Sequence, residues 1–455
     1  MRLIRSLPNF VSWSSPAAHP KSISDCWWKT DRAELPHHPH SGDCWGGIFG
    51  STHLPMTSTT TYPSAGQLNP TPRLLLGPGP SDLHPRVIAA MTTPVLGHLD
   101  PQFLLLMSET QEMLRSVFQT RNELTLPISA TGSGGMETCL VNLVEPGDRV
   151  LICIAGYFGE RMAEIAHRCG AEVHVEQESW GRTFSLDRLR DALRRVRPKV
   201  LGIVNAETST GAWQDLSSLG ALCREFDALL LVDCVTSLGC TPVEIDAWQI
   251  DAAFSCSQKG LSCPPGLAPL TLGPRAVEAI RRRKSPVRSW YFDLTALQSY
   301  WGTERVYHHT APITMIYALR EGLRLVLEEG LEARYERHQR HARALQAGLQ
   351  ALGLRTLTEG HCQLPQLHAV LLPDGVNDVQ GRKRLLEEFG IEVGGGLGQY
   401  KGRVWRIGLM GYNSRANCVF QILAALEKVL ADCGVRCHRG SGVAAAEAVY
   451  ANSPS

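Results

Sequence analysis

From Leu74 onward, short apolar runs alternate with stretches whose apolar residues recur at helical spacing. Residues 150–155, 173–177, 200–206, 229–234, 252–256 and 267–272 are strand-length apolar runs. Between them, 161–168 begins as a helix, and 186–195 carries apolar residues at a helix's period. Strands separated by long crossovers predict a mainly parallel sheet covered on both faces, an α/β fold. After about residue 311 a long helical stretch runs past 331. A smaller α+β unit follows, with strands predicted at 368–372 and 403–409. No internal repeat is present.

The first 66 residues read differently. Pro, Ser, His and Trp are frequent, no apolar period is sustained, and 57–61 with Pro63 and Ser64 has linker composition. Arg2, Arg5 and Lys21, with several serines and no acid among the first 24 residues, give this end a faint transit-peptide character. We expect a disordered or targeting extension over 1–66, or a chain starting at Met56. The expected compartment is cytoplasmic, or mitochondrial if the extension targets. His37, His38 and His40 with Cys26 and Cys44 lack paired spacing, so no metal site is expected. The expected divisions are a large domain over 67–329, a small domain over 330–437 and a tail over 438–455. The end, Asn452-Ser453-Pro454-Ser455, is no peroxisomal signal.

Charge and cysteine narrow the function class. Lys+Arg number 45 against 44 Asp+Glu, net +1, which offers no footprint for nucleic acid or an anionic membrane. No apolar run approaches the ~18 residues of a membrane span. The 14 cysteines include no CxxC pair, and several sit in apolar runs, as thiols do in a reducing compartment.

Open parallel sheets bind ligands beyond the carboxyl ends of their strands. Polar residues stand at three such ends: Glu207-Thr208-Ser209-Thr210-Gly211, Asp233, and Ser257-Gln258-Lys259. A Gly-rich turn, Ala130-Thr131-Gly132-Ser133-Gly134-Gly135, opens an apolar helix whose free amides suit a phosphate. Asp233 follows Leu-Leu-Leu-Val; an acid there is costly unless a cation pairs with it. An Asp and a Lys on neighbouring strand ends, beside a phosphate cradle, match a pyridoxal phosphate site.

Five segments carry a family resemblance: Leu74 to Ser81, Glu207 to Gly211, Leu231 to Gly239, Ser255 to Lys259, and Tyr307-His308-His309-Thr310. In this order and spacing they resemble the class V aminotransferases, fold-type I pyridoxal phosphate enzymes, and within them the alanine–glyoxylate (serine–pyruvate) branch. The resemblance extends from about Leu74 to Cys433. It implies a large domain with a mainly parallel seven-stranded sheet, a smaller C-terminal α+β domain, and a homodimer.

By that resemblance Lys259 carries the cofactor and Asp233 partners its pyridine nitrogen. Thr208 contacts the phenolic oxygen, and Thr131, Gly132 and Gln258 hold the phosphate, with Ser133 in the same cradle. Tyr307 and Thr310 reach the phosphate across the dimer interface. Val235 lies under the ring and Phe158 stacks on it. Gly77 and Arg406 stand at substrate positions, Arg406 as the fork that grips a carboxylate. Departures are Phe158 where mammalian members have Trp, and Ser133 where they have His. Gly97-His98-Leu99-Asp100-Pro101 has the form of the wider family, including the ureidoglycine– and serine–glyoxylate enzymes.

The implied activity is transfer of an amino group from alanine or serine to glyoxylate, giving glycine. Ureidoglycine as donor is the alternative. Cysteine desulfuration, a sister activity, needs a mobile nucleophilic Cys, for which Cys362 is the candidate; its context favours a structural thiol. A non-catalytic subunit is disfavoured because both Lys259 and Asp233 are present.

Overall fold

A central sheet of seven strands takes its order from the predicted alternation: β1 (Leu124–Ile128), β2 (Arg149–Ile154), β3 (Glu172–Gln177), β4 (Val200–Val204), β5 (Leu229–Asp233), β6 (Ala252–Phe254) and β7 (Ala268–Leu272). Across the sheet they run β1-β7-β6-β5-β4-β2-β3. The pairs from β6 to β3 are parallel, and β7 alone runs against both its neighbours. In the computed structural model, residues 66–358 and 360–452 are described. The linker, the transit-like segment and the His–Cys cluster of the N-terminal extension lie outside them.

Every residue of β1, β4, β5 and β7 is buried. Alternate residues of a strand point to opposite faces, so both faces of this sheet are covered. In β5 the four aliphatic residues Leu229–Val232 are between 0 and 6% exposed. At roughly 1.5–3 kcal/mol for each such side chain, they fix the strand's position and thereby that of Asp233 at its end.

After the sheet come two long helices, α helices of Ile313–Glu329 and Leu331–Ala351, separated by Gly330. A second sheet follows: β8 (Arg355–Thr356), β9 (Leu367–Leu371), β10 (Gly394–Gly395) and β11 (Val404–Gly408), ordered β8-β9-β11-β10 and antiparallel throughout. It has its own apolar core, shared with the helix Ala416–Asp432. Two segments outside 330–437 join that core. Leu76 packs into it, and Leu74–Leu75 pairs in parallel with Ile391–Glu392. The segment 438–455 contains the helix Ser441–Ala451, whose Ala446 is fully buried and whose Tyr450 hydroxyl bonds His341 Nδ1 at 2.8 Å.

Candidate active site

The carboxyl ends of five strands converge on one cavity of about 290 Å³. From the β1 end come Thr131, Gly132 and Ser133; from β2, Phe158; from β4, Thr208; from β5, Asp233 and Val235; from β6, Gln258 and Lys259. Arg406, in β11 of the second sheet, closes the wall opposite. Ten residues singled out in the sequence therefore line one space.

The cradle is built by the helix α1 (Gly132–Leu143), with Thr131 at its N-cap position. The first amides of a helix lack intrahelical acceptors. Those of Gly134 and Gly135 bond the Thr131 carbonyl at 2.8 and 3.1 Å, which leaves those of Gly132 and Ser133 for a ligand. Gly132 sits in a tight place: a Cβ there would lie 3.0 Å from Val235 Cγ2 and 3.1 Å from Cys256 Cβ. Gln258 Oε1 is buried without a hydrogen-bond partner.

Asp233 accepts a 2.8 Å bond from the Val235 amide through Oδ1. Burial pushes its carboxyl up to about 7; nearby Glu207 adds to the rise, while Lys259 and Arg161 oppose it. Lys259 is 8% exposed, and its Nζ donates to Thr236 Oγ1 at 3.1 Å. Burial lowers its pKa, and Cys256 and Asp233 counteract this. Its loop is held from two sides. Ser81 Oγ donates to the Lys259 carbonyl at 2.9 Å. Buried Arg334 donates to the carbonyls of Gly239 and Gly260 at 2.7 and 2.6 Å, tying the Asp233 loop to the Lys259 loop. At Gly79, φ is +109°, and a Cβ would meet Lys259 Cγ and Cε at 3.1 Å, so a side chain there would crowd the lysine.

Arg406 is 8% exposed; its Nε donates to the Gly395 carbonyl at 2.7 Å. Nη1 reaches the Thr208 carbonyl at 3.5 Å. Burial, with Arg382 nearby, lowers its pKa to about 10, so it stays cationic at neutral pH. Phe158 lies with its ring centroid 5.7 Å from Lys259 Nζ.

Four singled-out residues fall elsewhere. Gly77 does not line the cavity, although Pro78 and Gly79 do. Tyr307 and Thr310 are exposed and outside the chain's own cavity. Cys362 also lies outside it, its Sγ 3.3 Å from Thr183 Oγ1.

Two residues were given no role in the sequence reading. Arg161, one helical turn after Phe158 in the helix α2 (Tyr157–Arg168), lines the cavity. Glu207 is buried and accepts from the Phe158 amide at 3.2 Å and from the Ser209 amide and hydroxyl at 3.0 and 2.6 Å. An i, i+3 spacing on a helix was the available signal for Arg161. For Glu207 it was the acid heading its strand-end motif.

The donor set fits a phosphorylated pyridine aldehyde: open amides and an unpartnered amide oxygen at one end, an amine within, a buried acid and an aromatic face. A family model described as aminotransferase class V matches residues 74–417. The (S)-ureidoglycine–glyoxylate transaminase of Bacillus subtilis is 43% identical over 399 residues, 84% of this chain and 96% of its own. The alanine–glyoxylate aminotransferase of Drosophila melanogaster is 40% identical over 363 residues, 79% of this chain and 92% of its own. Among solved structures, the alanine–glyoxylate aminotransferase of Nostoc sp. shares 53% identity at a TM-score of 0.80, over 81% of this chain and 97% of that one.

Proposed function

The chain belongs to the class V aminotransferase family, and on that premise we propose that it transfers an amino group from alanine or serine to glyoxylate on pyridoxal phosphate. When bound, that cofactor supplies an electron sink that acidifies the substrate Cα–H. Lys259, the one lysine lining the cavity among the described residues, would hold the cofactor between turnovers. Once freed from the cofactor, its Nζ would be the chain's base, taking a proton from the substrate Cα and returning it. Burial lowers the pKa of its amine, which favours the uncharged, proton-accepting form. Asp233 offers its carboxylate to a protonated ring nitrogen, whose positive charge would draw the acid's pKa back down. Phe158 covers a ring face, and Arg406 grips the substrate carboxylate.

Arg406 in the cavity wall, facing the strand ends that carry Lys259, is the observation that carries the substrate reading. Glyoxylate is the smallest 2-oxo acid, and a single carboxylate clamp supplies most of its recognition. Ureidoglycine is the second reading, favoured by the 43% identity to the Bacillus subtilis enzyme. Desulfuration finds no support, because Cys362 lies outside the cavity.

The working unit is proposed to be a homodimer. Val95, Leu99, Trp290, Val306 and Tyr307 are between 44 and 70% exposed, an amount of bare apolar surface that calls for cover. Tyr307 joins that surface through His98, whose ring lies 5.1 Å from its own, and Thr310 is exposed three residues further on, as residues lent to a partner would be.

A half-reaction screen tests the substrates. Each amino acid is mixed with the purified protein and loss of the lysine-bound cofactor's visible absorbance is followed; glyoxylate is then added. Alanine or serine should discharge the absorbance and glyoxylate should restore it. Faster discharge by glutamate or aspartate would overturn the donor, and failure of glyoxylate would overturn the acceptor.

A further inference from the structure

We propose that Arg161 is a further ligand for the cofactor's phosphate, supplying the positive charge that the rest of the cradle lacks. The assignment rests on the pyridoxal phosphate reading above. Thr131, Gly132, Ser133 and Gln258 are all uncharged, whereas a phosphate monoester carries a charge near −2 at neutral pH. The other two cations lining the cavity have separate work: Lys259 holds the cofactor's carbon, and Arg406 the substrate.

The position of Arg161 is specific. Its Nη1 donates to Ser133 Oγ at 2.8 Å, at the second residue of α1. Its guanidinium lies 4.9 Å from the Phe158 ring centroid and 5.4 Å from that of Tyr157, so two aromatic faces hold it in place. On its other side it borders a groove that Glu137 and Glu164 also line. Yet Arg161 makes no ion pair among the described residues, and Glu164 bonds Arg168 instead at 2.8 Å.

That geometry is unfavourable without an anion. The N-terminus of a helix carries about half a positive charge, and a guanidinium set against it is repelled. Arg161 instead bonds Ser133 Oγ, beside amides that have no acceptor among the described residues. An anion between the two removes the repulsion, accepts from both, and is the ligand this arrangement selects. A distal carboxylate of a dicarboxylic donor is the competing occupant. The place of the contact, on Ser133 of the cradle, favours the phosphate.

The test uses the full chain freed of cofactor by dialysis, and measures binding of pyridoxal phosphate and of pyridoxal, which lacks the phosphate. Arg161→Met should weaken pyridoxal phosphate by about tenfold or more, the worth of one charge-assisted contact, and leave pyridoxal within about twofold. Arg161→Lys should recover part of the loss, and inorganic phosphate should compete less well in the Met variant. Equal weakening of both ligands would overturn the assignment, since Arg161 would then only support Phe158. Unchanged affinity for both, with a raised KM for dicarboxylic amino acids, would overturn it in favour of a substrate role. If the wild-type chain binds neither compound, the cofactor reading itself falls, and the assignment with it.

Discussion

At the scale of single residues, the site spends folding stability on chemistry. Asp233 is a buried acid whose pKa stands at about 7 against an ordinary 3.8, chiefly from desolvation. In the cofactor-free chain the folded state therefore holds this proton more tightly than the unfolded one. The group's contribution is full below about pH 4 and is lost as pH rises through about 7. Asp233→Asn removes the ionisation while keeping the shape. Thermal unfolding of the cofactor-free variant should show a gain on the order of a few kcal/mol at pH 8 and a smaller one at pH 5.5. Turnover should collapse in the same variant. A variant less stable than wild type at pH 8 would mean that Asp233 is ionised and paired within the chain itself.

At the scale of elements, the central strands β4 and β5 could be read from their apolar runs because both faces are buried, and polar residues at their ends then marked the site. The helix that carries Phe158 and Arg161 starts at Tyr157, earlier than the polar pattern suggests, since the aromatic Phe158 of its first turn faces the cavity. β1 was not legible: Thr125 and Pro127 break its apolar run, and it becomes a strand by pairing with β7. Nor was the place of Leu76, which enters the second core through a parallel pairing more than 300 residues away. Periodicity reveals which face an element buries but not its partner. The same limit hid Arg334, on the long helix Leu331–Ala351, whose two carbonyl contacts lie 95 and 74 positions back in the chain. Lys259, Asp233, Thr208 and the Gly-rich turn were legible because their motifs are local. Arg161 and Glu207 were not, because each acts through a contact that only the folded chain creates.

At the scale of the whole molecule, the exposed apolar surface and the position of Tyr307 and Thr310 outside their own cavity point the same way. Light scattering should give the mass of two chains. Val306→Glu, on the 54% exposed side chain of that surface, should shift the protein towards monomer and lower its affinity for pyridoxal phosphate together. A monomeric variant with wild-type affinity and turnover would remove the partner from the site.

The central claim is that this aminotransferase moves nitrogen to glyoxylate by way of Lys259. It is tested most directly by isotope. The protein is incubated with ¹⁵N-alanine or ¹⁵N-serine and glyoxylate, and glycine is analysed by mass spectrometry, alongside Lys259→Ala under the same conditions. The account predicts ¹⁵N-glycine formed by the wild-type chain and slowed at least about a thousandfold by the substitution. Unlabelled glycine only, or a Lys259→Ala rate within about tenfold of wild type, would contradict it.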